Sequence, residues 1–114
     1  MTDEAGALAV YGSLMPGEKN HWVLRSIEGD WVPGIARGFE FEITWGAAEG
    51  YEGFLPDDDG NHVSVMVLLS NRLDKNWRSV DEFHGEGFVR QIVPITLGDE
   101  NVIHAWMYMA LTDT

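Results

Sequence analysis

The chain of 114 residues contains no cysteine. That single absence excludes disulfides, thiolate metal ligands and a cysteine nucleophile. Basic residues are scarce: 7 Lys and Arg stand against 19 Asp and Glu, a formal net charge of −12. Such a surface repels phosphate backbones, so nucleic acid and anionic membrane are poor partners. A salt-rich habitat or a demand for solubility would produce the same acidic excess. Long hydrophobic runs are missing as well. The stretch from Val63 to Leu69, interrupted by Ser64, is far too short to cross a bilayer. Asp3 and Glu4 occupy the place of a signal peptide's basic region, so the expected compartment is the cytoplasm. The histidines, His21, His62, His84 and His104, show no i,i+4 pair and no His-x-His spacing, so no metal site is expected. Asp57-Asp58-Asp59-Gly60 lacks the alternating spacing and the distal Glu of a calcium loop and reads as a solvated turn.

What is present suffices for one core. Hydrophobic residues make up 45% of the chain and aromatics 11%, so residues 1–114 are expected to form a single domain. Ala7 to Val10 reads as a short buried strand. Glu18 to Ile27 has helical character, with Trp22, Val23 and Ile27 as its apolar stripe and Gly29 as its stop. Pro33-Gly34 marks a turn, and Phe39 to Ile43 alternates as a half-buried strand. Trp45 to Gly60, rich in glycine, reads mostly as loop. Val63 to Leu69 is a strand covered on both faces. Gln91 to Leu97 and Val102 to Leu111 are two more strands, and Pro94 places the first at an edge or a bulge. Between the Val63–Leu69 and Gln91–Leu97 strands a helix is expected from about Asn71 to His84, capped by Ser70 or Asn71 and ended by Gly85. Its apolar face carries Leu73, Trp77, Val80 and Phe83. Strands with helices inserted indicate an α+β domain with a small curled sheet or barrel.

Two places in this pattern can carry chemistry. The first is Tyr11-Gly12-Ser13-Leu14-Met15-Pro16-Gly17, a turn at the end of a buried strand. Such a turn aims backbone N–H groups into the space beyond the strand, a nest suited to a carboxylate or phosphate. A plain strand-to-loop exit would have the same residues. The second is His84. At about 100° of rotation per residue it returns to within roughly 20° of Leu73 and joins the inward face. Glu82 falls on the opposite side, in water, and Asp81 on the flank. An inward imidazole at a helix end is either a satisfied core histidine or a general base near its working pH. Trp77, Phe88 and Tyr108 are candidate apolar walls. Glu40 and Glu42 share a strand face and reach the cavity only if that face points inward.

Val80-Asp81-Glu82-Phe83-His84-Gly85-Glu86-Gly87-Phe88-Val89-Arg90 resembles the Leu-Asp-x-Phe-Glu-Gly-x-x-Tyr-x-Arg signature of the γ-glutamylcyclotransferase-like superfamily. Tyr11-Gly12-Ser13-Leu14, followed by Pro16-Gly17 and Asn20-His21, resembles that family's Tyr-Gly-Ser/Thr-Leu opening. The likeness runs from Val10 to Tyr108. It implies a small mixed β-barrel with flanking helices and a cavity at one end. It also implies a small-molecule γ-glutamyl compound as partner and no cofactor. In such proteins the loop corresponding to Tyr11, Gly12, Ser13 and Leu14 holds the substrate's α-carboxylate, and a carboxylate in the second motif takes a proton from its α-amine. The amine then attacks the γ-carbonyl, closing 5-oxoproline and expelling an amine. Tyr108 is a further substrate-binding candidate.

The chain departs from the signature where the base should be. The family's Glu falls on His84 and its Tyr on Phe88, while Arg90 is retained. Three explanations compete: His84 is itself the base, Glu86 stands in for it, or turnover is lost and a ligand- or partner-binding module remains. The leaving amine and the oligomeric state are not legible in the residues. An unrelated barrel would show no pocket at the Tyr11–Leu14 loop.

Overall fold

The computed structural model describes residues 6–44 and 49–110. β1 (Ala7–Val10) is buried on both faces, as its unbroken apolar run requires. Its neighbours are β4 (Asn61–Leu69), antiparallel, and β6 (Val102–Ala110), parallel. β2 (Asp30–Glu42) pairs with β4 and, along its far half, with β3 (Glu52–Pro56). β5 (Phe88–Leu97) pairs with β6 and closes onto β2 through Gly34 and Ile35. Five strands, in the order β2-β4-β1-β6-β5, therefore form a closed mixed barrel, and β3 extends it from β2. Two short helices, α1 (Trp22–Arg25) and α2 (Trp77–His84), flank it.

Period-two alternation divides the core into two layers. Ala7, Ala9, Val65, Val67, Ile95 and Met107 fill the barrel with Phe54. Leu8, Val10 and Leu68 face the other way, onto Leu24, Ile27, Leu73 and Val80 from the helical side. Among the described residues, no helix is long and apolar enough to cross a membrane.

Several expectations are corrected. Pro33-Gly34 is not a turn: both residues lie inside β2. A Cβ on Gly34 would come within 2.7 Å of Ile95 Cγ2, so glycine here lets β2 cross β5 and close the barrel. The Trp45–Gly60 segment contains β3, within which a Cβ on Gly53 would meet Ala110 Cβ at 2.8 Å. Trp45 itself lies outside the described residues. The first helix is only one turn long, because Asn20 N–H turns back to the Ser13 carbonyl at 2.7 Å instead of propagating a helix. Trp22 is 58% exposed, and Leu24 and Ile27 make the buried face. The Asn71–His84 helix is broken. A 3₁₀ turn at Leu73–Lys75 precedes α2, and Asn76 Nδ2 donates to the Arg72 carbonyl at 2.8 Å, a side-chain bond that competes with helical continuity. Ser70 Oγ accepts the Arg72 N–H at 3.0 Å, a local turn bond, and neither Ser70 nor Asn71 is the cap expected: Arg72 and Asn76 stand at the two helix starts, without a side-chain cap bond. The Phe39 alternation is displaced too. Gly34, Ala36 and Gly38 are the buried positions of β2, and Glu40 continues their parity.

Candidate active site

The C-terminal end of β1 opens into a cavity of about 310 Å³. Its floor is the end of β1, and its sides are the Tyr11–Leu14 turn, the last turn of α2, Phe88, Tyr108 and the start of β3. Tyr11, Ser13, Leu14, His84 and Tyr108 all line it, so the two sequence motifs meet in space. Gly12 faces an adjoining, more open cavity that shares Ser13, Tyr51 and Glu52. Glu86 is exposed and does not line the cavity. Trp77 is not in its lining either. Glu82 is in water, where it meets Arg78 on the outer face of α2.

The first motif is a single 3₁₀ turn, Gly12–Leu14, entered at Gly12 with φ +62°. Only glycine takes this left-handed conformation freely. The leading N–H groups of such a turn find no partner within it. Ser13 is clamped from behind: Asn20 Nδ2 donates to its Oγ at 2.9 Å. Because Oγ accepts there, the Ser13 hydroxyl proton is available for donation. His21 Nδ1 donates to the Leu14 carbonyl at 3.0 Å, a second tie on the turn. The Tyr11 hydroxyl donates to the Tyr108 carbonyl at 3.0 Å. Burial, with Glu40 and Glu52 nearby, pushes its ionisation up. It therefore stays a neutral structural pin.

The second motif is a network. Gly85, at φ +79°, ends α2 so that His84 occupies its last position. His84 Nδ1 lies 2.9 Å from the Val80 carbonyl. A carbonyl only accepts, so Nδ1 carries the proton and Nε2 keeps a lone pair. Among the described residues no buried side-chain nitrogen or oxygen lacks a partner. Nε2, which has none in the protein, is thus not buried, and His84 is among the residues that line the cavity. The ring stacks face to face on Tyr108, centroids 3.5 Å apart and planes 5° apart. Burial lowers the His84 pKa to about 4, opposed by the Val80 bond and Asp81.

Tyr108 is itself held. Its hydroxyl donates to Asp81 Oδ1 at 2.5 Å, and Arg90 grips the same carboxylate with Nε and Nη2 at 2.9 and 3.1 Å. The guanidinium packs against both Trp77 and Trp106, 4.1 and 4.6 Å from their ring centres, a pair of cation–π contacts. Arg90 holds the Asp81 carboxyl below its usual range. Trp77 thus supports the site from one layer away.

Glu52 is the residue that sequence reading missed. It lines both cavities, and its Oε1 lies 2.7 Å from the place a Gly12 Cβ would occupy. The available signal was its parity with Phe54: had β3 been recognised, alternation would have turned Glu52 toward the barrel side. Glu40 pairs with Phe54 across β2 and β3 and lines the adjoining cavity with Glu52. Partial burial first, then Glu52, raises its pKa. Glu42 does not line either cavity. Among the described residues no three His, Asp or Glu side chains gather as metal ligands.

The family model described as gamma-glutamyl cyclotransferase, AIG2-like, matches residues 8–114. No curated protein matches the chain significantly. An AIG2-like protein from Mus musculus shares the fold at a TM-score of 0.72 and 19% identity, over 96% of this chain and 79% of its own. YkqA from Bacillus subtilis does so at 0.70 and 24%, over 92% of this chain, which spans only 35% of YkqA's length. A structure described as a gamma-glutamyl cyclotransferase gives 0.67 and 19%, over 94% of this chain and 67% of that one. The closed mixed barrel with its flanking helices is common to this group.

Proposed function

The chain belongs to the gamma-glutamyl cyclotransferase, AIG2-like family, and from that premise we propose that it binds a γ-glutamyl amine between the Tyr11–Leu14 turn and His84 and releases 5-oxoproline. His84 Nε2 takes a proton from the substrate's α-ammonium. The freed amine attacks the γ-carbonyl carbon and the new C–N bond closes the ring. The bond from that carbon to the leaving nitrogen breaks as that nitrogen takes the proton His84 held. The ring nitrogen, left with two hydrogens by the attack, gives one to the departing amine, which leaves as an ammonium. Ser13 and the N–H groups of the Gly12 turn receive the α-carboxylate.

The observation that carries this reading is the free Nε2 of His84 on the cavity. With a pKa of about 4, this imidazole has the basicity of an ordinary carboxylate, whose pKa is about 4.3. It is therefore in its acceptor form at neutral pH. Geometry precedes pKa in choosing a general base, and Glu86, outside the cavity lining, does not meet the geometric condition.

The test is 5-oxoproline release from a panel of γ-glutamyl amines and dipeptides, with His84→Glu run beside the wild type. Product from the wild type supports a working cyclotransferase. Product from His84→Glu alone assigns an intact pocket that has lost its base, and the chain is then a binding module. Silence from both, with no ligand-induced stabilisation, overturns the reading.

A further inference from the structure

Resting on that reading, we infer that Glu52 supplies the negative charge that holds the ligand's α-ammonium beside His84, and so selects ligands bearing an amine. His84 offers the ammonium a lone pair and no charge. An ammonium taken out of water needs an anionic partner as well as hydrogen bonds. Asp81, the carboxylate that holds the Tyr108 ring under His84, is already occupied: Arg90 and Tyr108 use its oxygens. Among the described residues of the cavity lining Glu52 is the one carboxylate, and no Lys or Arg accompanies it.

Its position is built rather than incidental. β3 begins at Glu52, opposite Glu42 of β2, and this register fixes the side chain at the cavity mouth. Across the mouth the Gly12 turn leaves room for the carboxylate only because residue 12 has no side chain; a Cβ there would sit 2.7 Å from Oε1. The same charge reaches inward, since Glu52 raises the pKa of both Glu40 and the buried Tyr11 hydroxyl. Glu40 faces the adjoining cavity only, so it adds to the field without touching the ligand.

The probes are a pair of compounds that cannot cyclise: O-propyl-L-homoserine and its deamino counterpart, 4-propoxybutanoate. Calorimetry on the wild type is expected to show about fivefold tighter binding of the amino compound, the scale of one partly exposed ion pair. Glu52→Gln brings that ratio to about one and leaves binding of 4-propoxybutanoate as tight or tighter. Glu52→Gln combined with His84→Glu restores the preference, because the charge returns from the opposite wall. A purely structural Glu52 would move neither ratio, and thermal melting of Glu52→Gln checks that the fold is intact. Retention of the preference in Glu52→Gln, or its absence in the wild type, overturns the inference and leaves the γ-glutamyl reading standing. Failure of the wild type to bind either compound overturns both.

Discussion

The cavity wall made by α2, β5 and β6 carries its charges in closed pairs, whereas the wall made by β3, continued by β2 in the adjoining cavity, carries them unpaired. On the first wall Asp81, Arg90 and Tyr108 satisfy one another, and Trp77 and Trp106 cover the guanidinium. What this wall presents to the cavity is a neutral ring, His84, flat against Tyr108. On the second wall Glu52 and Glu40 share one space with no Lys or Arg among the described residues of its lining, and Glu52 raises the pKa of Glu40. The difference separates position from charge. The rigid wall sets where a proton acceptor stands, and the open wall sets what sign of ligand the site prefers.

Removing the clamp should show the largest effect. Arg90→Ala is expected to cost roughly 2 kcal/mol in urea unfolding, because it leaves the Asp81 carboxylate half-partnered. Glu52→Ala on the open wall is expected to stay within about 0.5 kcal/mol, as exposed substitutions do. Equal losses from the two would erase the distinction between the walls. Gly12→Ala touches both sides of the cavity. It forces a side chain into the left-handed region at φ +62° and against Glu52 Oε1, so a loss of roughly 1–2 kcal/mol is expected.

Acid titration sharpens the contrast further. The folded pKa of His84 is about 4, below the ordinary value of about 6.5. Between those values the unfolded chain takes up a proton that the folded chain refuses, so stability falls as pH drops through this window. His84→Gln should flatten that part of the stability curve. Asp81, whose pKa is lowered, adds its own loss at the more acidic end. The smallest effect belongs to Glu52→Gln, which should return the Glu40 pKa partway to its ordinary value in a carboxyl NMR titration.

The parts of this arrangement legible in sequence were those with local cause. The apolar runs of β1, β4 and β6 needed no partner to be recognised. Within α2 the one-turn spacing from Val80 carried His84 to the cavity side and Glu82 outward. The count from Leu73, however, ran across the break before α2, and Phe83, expected on the same face, is 40% exposed. Gly34 and Gly53 misled because glycine and proline normally punctuate. In a small closed barrel glycine also marks where strands press together, and that proximity exists only after long-range closure. β3 was hidden for this reason, and Glu52 with it. The Asp81–Arg90 clamp was split between two elements, so the retained arginine gave no sign of what it would grip.

The most direct test compares 5-oxoproline release by the wild type and His84→Ala at pH 5.5 and 7.5, on a γ-glutamyl amine from the panel. The wild type is expected to work at similar rates at both pH values, its imidazole being neutral throughout. His84→Ala is expected to fall about a hundredfold or more at each. A variant as fast as the wild type, or a wild type that loses its activity by pH 5.5, would contradict this role for His84.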